Sequence, residues 1–142
     1  MDTMEVAAPW AKLPAIYAAV CSSLNSVPHC RAATCHLSHS YSDGACLYFT
    51  FAATPPPDQI DATYIALWNA AQNAALDAGS NLAYHHGVGL NRARFTRRAL
   101  GAGLDVLAAM KRALDPQGIL NPGKFGIPTR FSGDENGVTP WP

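Results

Sequence analysis

Charge is scarce in this chain. Only 14% of its 142 residues are Asp, Glu, Lys or Arg, fewer than a free-standing soluble domain usually carries. Part of its surface is therefore suited to burial against another domain. The ten acidic and ten basic side chains cancel, so no global field draws the protein to nucleic acid or to an anionic membrane, and neither partner is expected. No apolar run approaches the roughly 20 residues needed to cross a bilayer. The four cysteines, Cys21, Cys30, Cys35 and Cys46, lack Cys-x-x-Cys spacing, and no secretory leader is read at the start. Free thiols and a cytoplasmic location are expected, and no peroxisomal tripeptide is read at the end. His36 and His39 fall where alternation along a strand would point them to opposite faces, so no metal site is expected either. A dinucleotide-binding loop is also missing. GVGLNR and GAGLD do not lie between a strand and a helix of a βαβ unit.

What the chain does hold is the stretch NLAYHHGVGLNRARF, Asn81 to Phe95. Gly87 and Gly89 open backbone conformations closed to other residues. His85 and His86 offer imidazoles with an ordinary pKa of about 6.5, suited to trading protons near neutrality. Arg92, Arg94, Arg97 and Arg98 follow, which suits an anionic ligand. The same residues also suit a plainer reading, in which the arginines form the solvated face of the next helix and one histidine is a paired core residue.

The remaining segments predict an α+β fold: an antiparallel hairpin, helices packed on it, and a helical C-terminal segment. Pro9 suits the first turn of a helix, with Trp10, Leu13, Tyr17, Val20, Cys21 and Leu24 as its stripe, ending before Pro28. Arg31 to Leu37 and Ala45 to Phe51 read as strands joined through an Asp-Gly turn. In the second strand Leu47, Phe49 and Phe51 form the core face, and Cys46, Tyr48 and Thr50 the other. A phenol there either packs or is aimed at a ligand. Asp58 and Asp61 open a helix whose stripe includes Ile60, Tyr64, Leu67, Trp68, Ala71, Ala75 and Leu76, closed by Gly79. A further helix spans about Thr96 to Leu114, with Leu100, Leu104, Leu107 and Met110 or Lys111 in register and a weak point at Gly101 and Gly103. Ile119 and Leu120 anchor the turn-rich segment after it. Residues 1–128 read as one domain or part of one, and residues 129–142 as a disordered tail.

HHGVGLNRARF, followed some 25 residues on by LDPQGILNPGK, resembles the C-terminal end of FAD-linked oxidases of the vanillyl-alcohol-oxidase type. DTMEVAAPW and SYSDGACLYFTF look most like the alkyl-dihydroxyacetone-phosphate (alkylglycerone-phosphate) synthase branch, the flavoenzymes of ether-lipid synthesis. The resemblance runs from Asp2 to about Gly126. It implies a substrate-side or cap domain that lacks the FAD-binding domain, with FAD held mainly by a domain in cis or in trans. The implied substrate is a phosphorylated lipid precursor, which exchanges its acyl group for a fatty alcohol. The wider group instead implies an FAD-dependent dehydrogenase of a 2-hydroxy acid or related alcohol. A third reading is a non-catalytic fragment that needs an FAD-domain partner. By resemblance Tyr48, His85 and His86 are the catalytic candidates, and Arg92 and Asn121 the substrate or cofactor contacts. The branch has a third histidine where this chain has Tyr84, and a lysine where it has Leu90. With only two strands in view, the chain taken alone is expected to self-associate, as a homo-oligomer or an aggregate.

Overall fold

The structure, a computed structural model, describes residues 1–128. The tail at 129–142 lies outside the described residues. Two compact units divide the chain, one spanning Met1–Gly87 and one beginning at Val88.

The first unit contains β1 (Asp2–Pro9), α1 (Leu13–Asn25), β2 (Cys30–Ser40), β3 (Gly44–Ala53) and α2 (Ile60–Asp77). The strands form an antiparallel sheet in the order β1-β3-β2. The hairpin foreseen as a pair is thus two thirds of a sheet, and the unforeseen strand is DTMEVAAP. Its period-2 pattern is plain in the fold: Met4, Val6 and Ala8 are buried in the core, while Thr3, Glu5 and Ala7 alternate with them. Met4, Glu5 and the two alanines are good helix formers, and Pro9 mimics a helix start. Pairing with β3 overrides that local preference.

The core lies between one face of the sheet and the two helices. Leu47, Phe49 and Phe51 supply it from β3, as expected, with Leu13, Ile16, Val20 and Leu24 from α1 and Leu67, Trp68, Ala71 and Ala75 from α2. Each of its fully buried large side chains stabilises by roughly 1.5–3 kcal/mol. α1 begins at Leu13, after a 3-10 turn at Trp10–Lys12, and a proline occupies its first turn. That proline is Pro14 and not Pro9. The expected stripe shifts accordingly, since Trp10 and Tyr17 are 44% and 49% exposed and Ile16 takes the inner position. α2 lacks a side-chain N-cap bond and follows a 3-10 turn at Pro57–Gln59, and Ile60 is exposed. Asp2 ties β1 to α2, its Oδ2 accepting from Tyr64 Oη and from Trp68 Nε1, both at 2.9 Å.

The second unit contains α3 (Thr96–Leu100) and α4 (Gly103–Leu114). The expected helix is split where its glycines fall, because Gly101 adopts φ 53°, ψ −129°, a conformation that ordinary side chains resist. The buried Thr96 hydroxyl lies 2.6 Å from the Ala93 carbonyl and 2.7 Å from that of Phe125. Of the expected stripe only Leu104 is buried. Val106, Met110 and Leu114 are exposed, as are the supposed anchors Ile119 and Leu120. So short a segment cannot wrap both sides of a helix, and its apolar side chains exceed what it can cover.

Candidate functional site

The sheet face turned away from the helices carries the chemistry. Register aligns Glu5 on β1, Tyr48 on β3 and His36 on β2, and likewise Thr3, Thr50 and Thr34. Toward the β2–β3 turn the register slips. Leu37 pairs with Leu47 but Ser40 with Ala45, so Ser38 and His39 together face the single residue Cys46. A bulge of this kind breaks strict alternation. His39 therefore joins His36 on the face of Glu5 and Tyr48, which reverses the expectation that the two histidines point apart.

β1 is an edge strand, and its outer rim is used by the histidine loop. Asn81 donates its N–H to the Ala7 carbonyl (3.0 Å) and accepts the Ala7 N–H on Oδ1 (2.8 Å), and Tyr84 donates to the Glu5 carbonyl (3.0 Å). Edge groups that would stand open are thereby paired. The chain then turns sharply: His85 has φ 56° and Gly87 φ 65°, and His86 N–H donates to the Tyr84 carbonyl at 2.6 Å. A non-glycine residue held in the left-handed region stores strain of the sort found at ligand clamps. The turn returns both imidazoles to Glu5.

Glu5 is the hub, 2% exposed. Ser38 donates a short hydrogen bond to Oε1. His39 Nδ1 lies 3.5 Å from Oε1, His85 Nδ1 3.3 Å from Oε2, and His86 Nε2 3.5 Å from Oε2. Burial pushes the carboxyl pKa up, but the bonds from Ser38, His85 and His39 outweigh it, and the net shift is downward. Glu5 is thus an anion whose ion-pair partners among the described residues are histidines alone. Tyr48, half-buried, lies between two imidazoles. His36 stacks on it at 5.0 Å with planes 22° apart, and His86 meets it edge-on at 5.2 Å. Its hydroxyl donates to Thr3 Oγ1 at 3.2 Å. His85 packs against His39 and Tyr84, each ring centroid 4.3 Å away. A carboxylate fixes the orientation and tautomer of the imidazoles it touches. The arrangement offers an oriented base beside a phenol, a pairing suited to moving protons.

Tyr48, His85 and His86 are therefore brought together, although 37 positions separate the first two. Arg92 and Asn121 belong to the second unit. Arg92 is buried and opens the turn at Ala93–Phe95, its N–H bonded to the Val88 carbonyl at 3.2 Å. Asn121, at φ 44°, lines a cavity of about 330 Å³ with Gly89, Lys111, Gly123 and Lys124. The sequence reading missed Glu5, His36 and His39 as neighbours of the site. The alternation of TMEVA was the available signal for Glu5; nothing local marks the bulge that turns His39.

Comparison with known proteins identifies the family. The family of FAD linked oxidases, C-terminal domain, matches residues 1–125. Alkyldihydroxyacetonephosphate synthase of Trypanosoma brucei brucei is 37% identical over 92 residues, 64% of this chain and 15% of that protein. The protein of the same name from Dictyostelium discoideum is 37% identical over 95 residues, again 15% of its length. An uncharacterized FAD-linked oxidoreductase, YgcU of Escherichia coli (strain K12), is 29% identical over 129 residues, 85% of this chain and 27% of that protein. The chain thus spans well under a third of the relatives it matches. With its model covering residues 1–125, the chain belongs to the FAD linked oxidases, C-terminal domain family.

Proposed function

We propose that this chain is the substrate side of an FAD-dependent enzyme of the alkyl-dihydroxyacetone-phosphate synthase kind, in which a phosphorylated acyl lipid precursor exchanges its acyl group for a fatty alcohol. FAD is the cofactor of the family, and the donor set on the open sheet face bears on how this chain meets it. Two imidazoles, a phenol, a carboxylate and a threonine hydroxyl suit the reacting end of a flavin and its substrate. They do not suit a diphosphate, which needs cations or a glycine-rich helix start. His86 and Tyr48 would border the ring, and the rest of the cofactor falls to an FAD-binding domain in cis or in trans. When bound, FAD supplies an electron-poor ring next to the substrate carbon.

The observation that carries the reading is the edge-on contact of His86 with Tyr48, beside the buried Glu5. His86 takes the proton from a carbon next to the substrate carbonyl, held for that task by Glu5. Tyr48 donates a hydrogen bond to the oxygen on which charge develops. His85 lies against the same Glu5 carboxylate. Within the second unit, Arg92 and Asn121 are the candidates for an anionic group, substrate phosphate or part of the cofactor, and Lys124 lines the same cavity as Asn121. Exposed apolar side chains on α4 support docking of the second unit on another domain, and a cytoplasmic setting fits the free thiols. No helix among the described residues is long and apolar enough to cross a membrane.

A second reading is supported by the match to an FAD-linked oxidoreductase over 85% of this chain: the same base and phenol would serve oxidation of a 2-hydroxy acid or related alcohol. Two assays on a flavin-containing preparation separate them. Fatty-alcohol incorporation into the acyl substrate without net dye reduction supports the synthase reading, and dye reduction by hydroxy acids without exchange supports the other. If neither activity appears with flavin bound, both readings fail and the chain is a non-catalytic partner.

A further inference from the structure

β1 stops at Pro9 beside the turn that joins β2 to β3, and the end of the sheet there borders a cavity of about 440 Å³ lined by Ala7, Pro9, Tyr41, Asp43, Gly44 and Tyr84. No lysine or arginine lines it. Tyr41 comes from the β2–β3 turn and Tyr84 from the histidine loop, and their rings meet edge-on, with centroids 5.9 Å apart and planes at 64°. Two aromatic walls thus form a corner. The backbone holds each of them: Trp10 Nε1 donates to the Tyr41 carbonyl at 3.1 Å, Tyr41 N–H to the Gly44 carbonyl at 2.8 Å, and Tyr84 N–H to the Glu5 carbonyl at 3.0 Å. Asp43 is exposed beside them, and among the described residues no cation pairs with its carboxylate.

An electron-rich ring attracts a cation, and a carboxylate beside it adds a direct charge. An anion finds no partner here. The hydrogen bond to Tyr84, with burial and the nearby Cys46 and Glu5, pushes the Tyr41 phenol up to about 12, so that wall stays neutral at physiological pH. Tyr84 stands where the branch this chain resembles has a histidine. A phenol, unlike an imidazole, does not take up a proton near neutrality and so does not repel a cation. A bare metal ion of the hard class asks for several oxygen donors, and one carboxylate does not supply them. The geometry points to a binding site for an organic ammonium group, a quaternary or alkylated amine, in the corner of Tyr41 and Tyr84 with Asp43 as its counter-ion. This goes beyond the proposed activity, which assigns proton transfer to His86 and Tyr48 and an anionic group to the second unit. The two meet only where Tyr84 also packs on His85, at 4.3 Å.

Titration of the purified chain with choline, followed by calorimetry and ligand-observed NMR, tests this without flavin or lipid substrate, so its failure leaves the proposed activity standing. The uncharged isostere 3,3-dimethylbutan-1-ol is the control for shape. Choline should bind saturably at one site per chain, and the isostere about 10-fold more weakly or worse. Tyr84→Ala should weaken choline by about 3- to 30-fold, the range for one cation–π contact, while Tyr84→Phe keeps most of the affinity. Asp43→Asn should weaken it too and flatten its dependence on salt. Tyr17→Ala, at an exposed tyrosine of α1 outside the cavity, should change nothing. Circular dichroism of each variant separates lost binding from lost folding, and if Tyr84→Ala does not fold, Asp43→Asn and the isostere decide. Absence of saturable choline binding, equal affinity for the isostere, or full affinity in Tyr84→Ala would overturn the assignment. A loss in Tyr84→Phe as large as in Tyr84→Ala would also overturn it, in favour of a ligand bound through the hydroxyl.

Discussion

Glu5 and Tyr48 are cross-strand partners, paired between β1 and β3 on the sheet face that the helices leave open. That pairing puts a buried anion one strand-width from a phenol, and the histidine loop bonded to the rim of β1 brings His86 to both. The strand register thus determines which groups can cooperate. A one-residue slip of β1 would send Glu5 into the core and Met4 to the site.

Gly44 and Gly87 are required for different reasons, and substitutions should separate them. A Cβ on Gly44 would lie 2.3 Å from the Ala8 carbonyl oxygen, a backbone atom that cannot yield without breaking the β1–β3 pairing. At Gly87 a Cβ meets nothing within 4 Å, but φ is +65°. Gly87→Ala should cost roughly 1–2 kcal/mol through the backbone alone, with Gly87→Asn milder. Gly44→Ala should cost more than either. Denaturant midpoints of the three variants check the order.

Gln72 on α2 is fully buried, and neither its Oε1 nor its Nε2 has a partner among the described residues. Replacing an unsatisfied buried amide with an apolar side chain of like shape removes a desolvation cost. Gln72→Met should raise stability by roughly 1–3 kcal/mol. Thermal unfolding measures it, and a destabilised variant would mean that the amide is satisfied.

Asp115 organises the turn after α4. The Lys111 ammonium holds its carboxyl well down; partial burial works against that, and the Leu120 and Ile119 amides add to it, for a pKa of about 2. A depressed folded-state value stabilises above the unfolded value, about 3.9, and that contribution is lost as pH falls toward 2. The protection of the Ile119 and Leu120 amides, measured as their exchange relative to the unstructured rate at each pH, should therefore fall between about pH 4 and pH 2. In Asp115→Asn that protection should be lower at neutral pH and lack that step.

Much of this was legible in the chain. The two faces of β3 followed from the alternation of CLYFTF, and α2 from its 3.6-residue stripe. The split at Gly101 followed from two glycines in a helical run. β1 was hidden because alanine, methionine and glutamate favour helix locally, and only the long-range pairing with β3 reveals a strand. His39 was misdirected because a bulge is a property of two strands together, and its own segment gives no sign of it. Glu5 escaped for both reasons, lying on the unseen strand and owing its role to a loop 80 positions away.

Turnover of Tyr48→Phe and His86→Gln, in a preparation whose flavin absorption equals that of the wild type, tests the proton-transfer account most directly. Among the described residues the Tyr48 hydroxyl makes one hydrogen bond, at 3.2 Å, so Tyr48→Phe should lose no more than about 1.5 kcal/mol of stability. Both variants should lose roughly 10²- to 10⁴-fold in turnover, the range for removing a positioned acid or base. Retention of wild-type turnover by both variants, with flavin bound and the fold intact, would contradict the account.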